Sequence, residues 1–351
     1  MTQRTIRIGT KTIGYGQPVF VIAEAGVNHN GRLDLALKLV DAAADAGADA
    51  VKFQTFHAED VVTGKGKMAA YQKKNLGKTE SQVAMLKKLE LQDRFYASLI
   101  ARAKKRKILF FSAPHGGPSS VDFLRRLNVP AFKFGSGDLT NLPLLAYAAK
   151  MDIPVILGTG MSTMKEVRAA IRVIHRAGNR KLVALHCTSN YPCPFEEVNL
   201  RAMQTMMRDL DVLVGYSDHT EGIQVPSMAV TLGACVIEKH FTLNRKMKGP
   251  DHAASLEPDE LTEMIRAIRR VPVILGSSVK RPTSSERVMM RDVRKSIVTL
   301  APVDKGDVFT KKNLGIKRPG TGLVPRAYLD ILGKRAIKDI DADTLLRRGD
   351  F

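Results

Sequence analysis

The 351-residue sequence predicts an α/β fold, a (β/α)₈ barrel followed by a small second domain. Strand-like and helix-like runs alternate eight times between residues 18 and 276, which is the repeat of that barrel. The strand runs are almost continuously apolar, as in parallel strands buried on both faces, and the helical runs have apolar residues at three- and four-residue spacing. An open doubly wound sheet is the alternative. It usually has fewer units and a glycine-rich phosphate-binding turn after its first strand, which this chain lacks.

The elements follow in a regular order. Eight strands are predicted at PVFVIAEAG (18–26), AVKFQTF (50–56), ILFFSAP (108–114), AFKFGSGD (131–138), PVILGTG (154–160), KLVALHCT (181–188), LVGYSD (213–218) and CVIEKHFT (235–242). A helix is predicted after each, at 33–47, 99–107, 119–128, 142–151, 165–178, 199–210, 225–233 and 259–270.

Two segments lie outside this repeat. The barrel domain is predicted over 1–280 and a second domain over 291–351, with a Ser-, Pro- and charge-rich linker at 277–290. The second domain has short β-prone runs divided by turns. The long polar segment 57–85 after the second strand is of the kind that covers barrel sites.

Composition excludes several classes of protein. The chain is 44% hydrophobic and 26% charged, which is typical of soluble globular proteins, and its apolar runs are too short to span a bilayer. It has no signal-peptide pattern, so we expect a cytoplasmic protein without membrane contact. Three cysteines cannot form a disulfide framework. The net charge of +20 is spread along the chain without a nucleic-acid-reading module, so we expect a solvated surface that helps attract an anionic substrate, and no nucleic-acid partner.

Two histidines end two successive strands. His219 follows LVGYSD and His240 lies in CVIEKHFT. Neighbouring parallel strands lie about 4.8 Å apart, so the two imidazoles can share one divalent metal. Many oxygen donors and few thiols favour a Mn²⁺- or Mg²⁺-like ion over structural zinc. His186 is expected to be a packed residue.

Two lysines interrupt apolar strands near the carboxyl ends, where barrel enzymes have their sites. A buried Lys52 or Lys133 needs an anionic partner, either a carboxylate such as Glu24 or Glu238, or a bound anion. We favour a phosphorylated, carboxylate-bearing substrate because four hydroxyls are expected to converge there, those of Ser112, Ser136, Thr159 and Ser217. Gln54 shares the face of Lys52 by strand alternation.

Acidic residues at the same end are candidate acid–base groups. They are Glu24, Asp138 and Asp251. Asp251 lies in a glycine- and proline-rich loop, so a turn or helix-capping role is the alternative.

These residues stand in segments that resemble the N-acetylneuraminate (sialic acid) synthase family over nearly the whole sequence. The segments are IAEAGVNHNG (22–31), VKFQTF (51–56), YQKKNLGKTESQVAMLKKLEL (71–91), KFGSGDLTNLPLL (133–145), LGTGMSTMKE (157–166), HCTSNYPCPFEEVNLRAM (186–203), GYSDHT (215–220) and IEKHFTLNRKMKGPDHAASLEPDEL (237–261). The tail, with KRPGTGL at 317–323, resembles the antifreeze-like (SAF, β-clip) domain of that family.

The resemblance implies a reaction. Phosphoenolpyruvate condenses with the open-chain aldehyde of N-acetylmannosamine or a related 2-acetamido sugar, giving a 2-keto acid and phosphate with C–O cleavage. It also implies a divalent metal, Mn²⁺ in the first place with Mg²⁺ or Co²⁺ as alternatives, and a domain-swapped homodimer.

Position by position, the resemblance assigns roles to single residues. His219 and His240 correspond to metal ligands, and four residues to phosphoenolpyruvate contacts, namely Lys52, Lys133, Ser136 and Ser217. Glu24, Tyr191 and Asp251 lie around the sugar. Asp138 corresponds to an acidic residue near the reacting carbon, and Arg318 to an arginine that reaches the N-acetyl group from the partner subunit.

The chain departs from some members at three phosphoenolpyruvate contacts. Ala113, Gly158 and Ser189 replace Thr, Ser and Asn, and Ser112 and Thr159 are expected to supply replacement hydroxyls. Alternative functions are a legionaminate, pseudaminate or phosphorylated-acceptor synthase with the same chemistry, an ice- or carbohydrate-binding protein, and a nucleic-acid binder.

Overall fold

The computed structural model describes residues 5–77 and 80–351. Contacts divide the chain into two compact units, Met1–Gly276 and Ser277–Phe351. The first unit begins with an antiparallel hairpin of β1 (Thr5–Ile8) and β2 (Lys11–Gly14), which is absent from the predicted elements because its strands have only four residues each. Buried Ile8 and Ile13 of the hairpin pack with Phe20 and Phe111 of the barrel.

Eight parallel strands form a closed barrel, which confirms the predicted fold. The strands are β3 (Phe20–Gly26), β4 (Ala50–Thr55), β5 (Leu109–Pro114), β6 (Phe132–Phe134), β7 (Val155–Gly158), β8 (Leu182–His186), β9 (Leu213–Asp218) and β10 (Val236–His240). The barrel closes where β10 pairs with β3, and each strand otherwise pairs with the next along the chain. Parallel pairing brings all carboxyl ends to one rim.

Eleven helices accompany the described strands of this unit. They are α1 (Leu33–Asp45), α2 (Ala58–Val61), α3 (Ala70–Leu76), α4 (Gln82–Lys87), α5 (Tyr96–Lys105), α6 (Gly117–Arg126), α7 (Leu142–Ala149), α8 (Met164–Arg176), α9 (Leu200–Asp209), α10 (Gln224–Thr231) and α11 (Pro258–Leu275). Two of them, α2 and α3, lie within the segment 57–85, which is expected from the sequence to be a long polar connection, and α4 begins in it. Within the described residues, no helix is both long and apolar enough to cross a membrane.

Strand alternation creates two separate cores in the barrel. Val21 and Ala23 of β3 pack with helix residues such as Leu39, whereas Phe20 and Ile22 pack with interior residues of other strands. This follows from the two-residue period of a strand, which turns successive side chains to opposite faces. A polar residue at an interior position near the carboxyl end therefore points into the barrel mouth.

The second unit contains α12 (Ser284–Val293), β11 (Ser296–Thr299), β12 (Leu314–Lys317) and α13 (Tyr328–Ile331). Its own core includes Ile297, Phe309 and Leu314. The segment predicted as a linker is partly helical, because Thr283 and Glu286 form a capping box that starts α12. That reciprocal pairing satisfies two otherwise free backbone N–H groups at the helix start.

Candidate active site

A cavity of about 380 Å³ opens at the carboxyl ends of the barrel strands. Eleven of the fifteen residues predicted for the site from the sequence line it: Glu24, Lys52, Gln54, Lys133, Ser136, Ser189, Tyr191, Ser217, His219, His240 and Asp251. Residues Ala69, Gln72, Met85, Leu86 and Leu89 also line it. The predicted covering role of the segment after β4 therefore agrees with the cavity lining.

The cavity floor contains two buried ion pairs. Nζ of Lys52 lies 2.9 Å from Oε2 of Glu24 and 3.5 Å from Oε2 of Glu238. Nζ of Lys133 lies 3.0 Å from Oε1 of Glu238. Each lysine therefore has a carboxylate partner, the first of the two possibilities open from the sequence. The register explains the contact, since Lys52 stands directly opposite Glu24 across β3 and β4.

Burial and the neighbouring charges shift the pKa values of Glu24 and Glu238 in opposite directions. Burial alone would raise the pKa of Glu238, but the ammonium groups of Lys133 and Lys52 outweigh it and hold that pKa below its usual range. Burial, together with repulsion from Glu238, raises the pKa of Glu24 despite the nearby Lys52. Glu238 is therefore the permanent counter-charge of the lysines, and Glu24 is suited to exchange a proton near neutral pH.

His219 and His240 lie side by side at the rim, with ring centroids 5.6 Å apart. Nδ1 of His219 is 2.6 Å from the carbonyl oxygen of Thr188, and Oγ of Ser217 is 3.5 Å from its Nε2. Burial lowers the pKa of His219 to about 4, and burial with the neighbouring His219 lowers that of His240 well below its usual value. Both imidazoles are therefore neutral at pH 7, the state in which histidine binds a metal.

The ring nitrogens of His219 and His240 fit a divalent cation as ligands. The carbonyl oxygen of Thr188 accepts a hydrogen bond from the Nδ1–H of His219, which leaves the Nε2 lone pair available, an arrangement typical of metal-binding histidines. Nδ1 of His240 is buried without a hydrogen-bond partner. Among residues 5–77 and 80–351, no group of three His, Cys, Asp or Glu side chains could hold a metal. A cation bound here would keep open positions for substrate or water oxygens.

The glycine-rich segments meet on another wall of the cavity. The backbone N–H of Gly160 donates to Oγ of Ser136 at 3.0 Å and also approaches Sγ of Cys187 at 3.2 Å. A Cβ on Gly160 would lie 2.3 Å from Oγ of Ser189 and 2.9 Å from Oγ of Ser136, so any other residue there would displace these two hydroxyls. Sequence reasoning missed Cys187 at this wall, because it considered the three cysteines together for a disulfide framework and for zinc-binding spacing and assigned no role to this one.

Asp251 lines the cavity from the loop after β10. It lies next to Pro250, whose carbonyl oxygen accepts a hydrogen bond of 2.6 Å from Nδ2 of Asn75. Burial raises the pKa of Asp251 to about 6. Its side chain makes no capping hydrogen bond to the short turn that follows, so the capping alternative is not supported.

Two predicted hydroxyls do not face the cavity. Ser112 stands opposite Phe53 in the register of β4 and β5, and Phe53 packs in the helix-facing core. Its Oγ is 2.7 Å from Oγ1 of Thr55 on that side. Oγ1 of Thr159 donates to the carbonyl oxygen of Leu185 at 2.9 Å. Oγ1 of Thr159 also lies 4.0 Å from Sδ of Met206 in the helix-facing core. Neither residue lines the cavity, so the structure gives no support to the expectation that Ser112 and Thr159 replace the missing substrate contacts.

Two further predicted residues lie away from the cavity lining. Oδ2 of Asp138 is 3.5 Å from Nδ1 of His115, and it is His115 that lines the cavity. Sequence reasoning missed His115, which follows β5 directly. Arg318 is exposed and follows β12 in the second unit.

Comparison with known proteins gives the family. The NeuB family model matches residues 39–280, and the SAF domain model matches residues 294–351. The N,N'-diacetyllegionaminic acid synthase of Campylobacter jejuni is 47% identical over 329 residues, covering 93% of this chain and 98% of the relative. The protein of the same name from Legionella pneumophila is 44% identical over 342 residues, covering 96% of each.

A solved structure agrees with these matches. The N-acetylneuraminic acid (sialic acid) synthetase of Leptospira borgpetersenii, crystallised with citrate, has a TM-score of 0.72 at 35% identity and covers 82% of this chain and 95% of that chain. The predicted resemblance to sialic acid synthases is thereby confirmed. The chain belongs to the NeuB family and carries a C-terminal SAF domain.

Proposed function

We propose that this enzyme condenses phosphoenolpyruvate with the open-chain aldehyde of a sugar bearing two acetamido groups, giving N,N'-diacetyllegionaminate and phosphate. As a member of its family, the chain is a phosphoenolpyruvate-using transferase that acts on an acetamido sugar. The observation that carries the proposal is the convergence of two buried ammonium groups with two neutral imidazoles in one cavity. N-acetylmannosamine, the acceptor placed first by the sequence, is the second candidate because of the Leptospira relative.

Phosphoenolpyruvate would bind at the lysine pair. Lys52 and Lys133 are held at the floor by Glu24 and Glu238, so they are already oriented before an anion arrives. The hydroxyls of Ser136, Ser189 and Ser217 line the same cavity and can donate to phosphate or carboxylate oxygens.

A divalent metal, Mn²⁺ in the first place with Mg²⁺ and Co²⁺ as alternatives, would be held by His219 and His240. Bound there, it would supply Lewis acidity toward the acceptor's aldehyde oxygen. The ring of Tyr191 packs on His219 with centroids 4.2 Å apart, which limits the positions that the imidazole can take.

The remaining chemistry falls to side chains of the cavity. C3 of phosphoenolpyruvate forms a bond to the aldehyde carbon as the C2–C3 double bond opens, and the aldehyde oxygen takes a proton and becomes a hydroxyl. Water adds to C2, and the C2–O bond breaks as phosphate leaves with the bridging oxygen. The water oxygen becomes the keto oxygen, and its two protons balance the one taken by the aldehyde oxygen and the one that leaves with phosphate. Glu24, which lines the cavity, would take a proton from the adding water, whereas Asp138 contacts the cavity-lining His115 and does not line the cavity itself. Asp251 and Gln54 would bind sugar hydroxyls, and the fixed positions of both substrates lower the entropic cost of their meeting.

An apolar wall supports the diacetamido acceptor. Val27, Met85 and Leu89 are buried in one small cluster, and all three line the cavity together with Leu86. Such a wall suits the methyl of a second acetyl group, because burial of one methyl-sized group contributes about 0.8 kcal/mol. Two relatives named as diacetyllegionaminic acid synthases point to the same acceptor.

A homodimer completes the proposal. Val273, Ile274 and Leu275 at the end of α11 are mostly exposed, as are Val288 and Met289 of α12. Exposed apolar residues of this number favour contact with another protein surface. A partner subunit would bring its Arg318 to the sugar, as in the resembled family. Light scattering at several protein concentrations tests the dimer.

The acceptor is tested by phosphate release from phosphoenolpyruvate with three sugars, with and without Mn²⁺. They are N-acetylmannosamine, its 6-phosphate and 2,4-diacetamido-2,4,6-trideoxymannose, and products are read by mass spectrometry. We expect the highest kcat/KM with the diacetamido sugar. A preference for N-acetylmannosamine would move the function to N-acetylneuraminate synthesis, and no phosphate release with any acceptor would overturn the reaction.

A further inference from the structure

A second ion pair lies directly behind the histidines. Asp218 precedes His219 in the chain, and Lys239 precedes His240. Asp218 and Lys239 stand opposite each other across β9 and β10, and both are almost fully buried. Neither lines the cavity. By strand alternation they face away from the barrel mouth, while the two histidines face into it.

Hydrogen bonds join Asp218 and Lys239 to each other and to Tyr216 and Thr220. Nζ of Lys239 lies 2.5 Å from Oδ2 of Asp218 and 2.5 Å from the carbonyl oxygen of Thr220. Oδ1 of Asp218 accepts from the hydroxyl of Tyr216 at 3.1 Å and from the backbone N–H of Thr220 at 3.2 Å. The contacts therefore join the residues just before and just after His219 to the residue just before His240.

Stability alone is a weak reason for such a pair. Desolvation of two buried charges offsets most of their attraction, and apolar replacements of similar volume are often neutral or stabilising. What the pair does supply is a fixed distance between two strand ends. Those strand ends are the backbone attachment points of the two imidazoles.

We propose that Asp218 and Lys239 are positioning residues that fix the spacing and orientation of the His219–His240 pair for a divalent metal. The proposal rests on the metal site of the proposed function. It goes further, because it assigns metal affinity to two residues that touch neither metal nor substrate. The lysine donates to the carbonyl of Thr220, so it restrains the turn after His219 as well as the strand before it.

The test measures Mn²⁺ affinity of the full chain by titration calorimetry, without substrate. The double variant Asp218→Leu/Lys239→Met removes both charges and leaves none unpaired. Tyr216→Phe removes one hydrogen bond to Asp218 and serves as a milder variant that keeps the buried ring. We expect Mn²⁺ affinity to fall by about 10- to 100-fold in the double variant, the usual effect of residues that orient metal ligands, and by less in Tyr216→Phe.

A control at a second, partly exposed ion pair separates positioning from general loss of an ion pair. Arg102→Met breaks the 2.8 Å pair of Arg102 with Asp41 between α5 and α1, and should leave Mn²⁺ affinity unchanged. The KM for phosphoenolpyruvate should change less than twofold in all variants. Equal Mn²⁺ affinity of the wild type and both site variants would overturn the positioning role while the metal site stands. A wild-type chain that binds no Mn²⁺ would overturn the metal site and the positioning role together.

Discussion

Nζ of Lys133 lies 3.0 Å from Oε1 of Glu238, and both side chains are buried at the floor of the cavity. The same carboxylate also faces Lys52 at 3.5 Å and accepts from Oγ of Ser217 at 3.1 Å. Glu238 is thus the centre of the charged floor. Its position at the middle of β10, two residues before His240, links the two buried lysines to the proposed metal ligands.

Removal of Lys133 should cost stability as well as activity. Lys133→Met leaves Glu238 with one ammonium partner, and we expect the free energy of unfolding to fall by about 3 kcal/mol, because breaking a buried pair leaves a poorly compensated charge. Urea unfolding measures this. Lys133→Met/Glu238→Gln should recover part of the loss without restoring phosphate release. No recovery in the double variant would contradict the pairing.

Either histidine should be indispensable for metal-dependent turnover. His219→Ala and His240→Ala each remove one of two proposed protein ligands, so we expect phosphate release to be abolished and Mn²⁺ affinity to fall below detection. Activity and calorimetry are measured side by side. Wild-type turnover and wild-type Mn²⁺ affinity in either variant would show that the metal lies elsewhere.

Arg318 should act on the acceptor only. Arg318→Ala is expected to raise the KM for the sugar about tenfold or more and to spare the KM for phosphoenolpyruvate, since a lost charged hydrogen bond costs about 1.5–3 kcal/mol. Lys317→Ala, at the neighbouring exposed residue, is the control. Unchanged sugar kinetics in Arg318→Ala would remove this residue from the site.

The apolar wall should set acceptor preference. Met85 lines the cavity, whereas Met68 is buried in the same cluster without lining it. Met85→Gln should lower kcat/KM for the diacetamido sugar about tenfold relative to N-acetylmannosamine, in the range that small apolar groups contribute to discrimination. Met68→Gln makes the same chemical change away from the cavity and should leave the ratio unchanged. Equal ratios in both variants would argue against the wall.

Two buried histidines, His29 and His252, should each contribute to a loss of stability at acid pH. Burial lowers the pKa of His29 and of His252 from 6.5 to about 4. The unfolded chain therefore binds more protons below pH 6.5, so the free energy of unfolding should fall as pH decreases from 6.5 to 4 and stay level above 6.5 as far as these groups are concerned. Each pKa unit corresponds to about 1.4 kcal/mol.

His29→Asn isolates one of these contributions. Nδ1 of His29 accepts from the backbone N–H of Gly31 at 3.0 Å, and the asparagine oxygen can take over that bond without binding a proton. Urea unfolding of the metal-free chain at pH 7.5, 6 and 5 should show a shallower loss of stability in the variant. Identical slopes in both proteins would contradict the assignment to His29.

The barrel can be predicted from the sequence because the pattern of an apolar strand followed by an amphipathic helix repeats eight times. Each repeat strengthens the assignment of the others. Short isolated elements, such as the β1–β2 hairpin and α2 to α4, lack that repetition. For the site, alternation within one strand places Lys52 and Gln54 on the cavity side. The directions of the Ser112 and Thr159 side chains are harder to predict, because a hydroxyl suits either face of a strand. For Ser112, the pairing with Phe53 in the register of β4 and β5 reveals the direction.

The fate of the bridging oxygen of phosphoenolpyruvate tests the proposed reaction most directly. The enzyme is supplied with phosphoenolpyruvate labelled with ¹⁸O in the C2–O–P bridge, together with Mn²⁺ and the diacetamido sugar, and both products are analysed by mass spectrometry. Attack by C3 and addition of water to C2 predict that all of the label leaves in phosphate. Label retained in the 2-keto acid would mean P–O cleavage and would contradict the account.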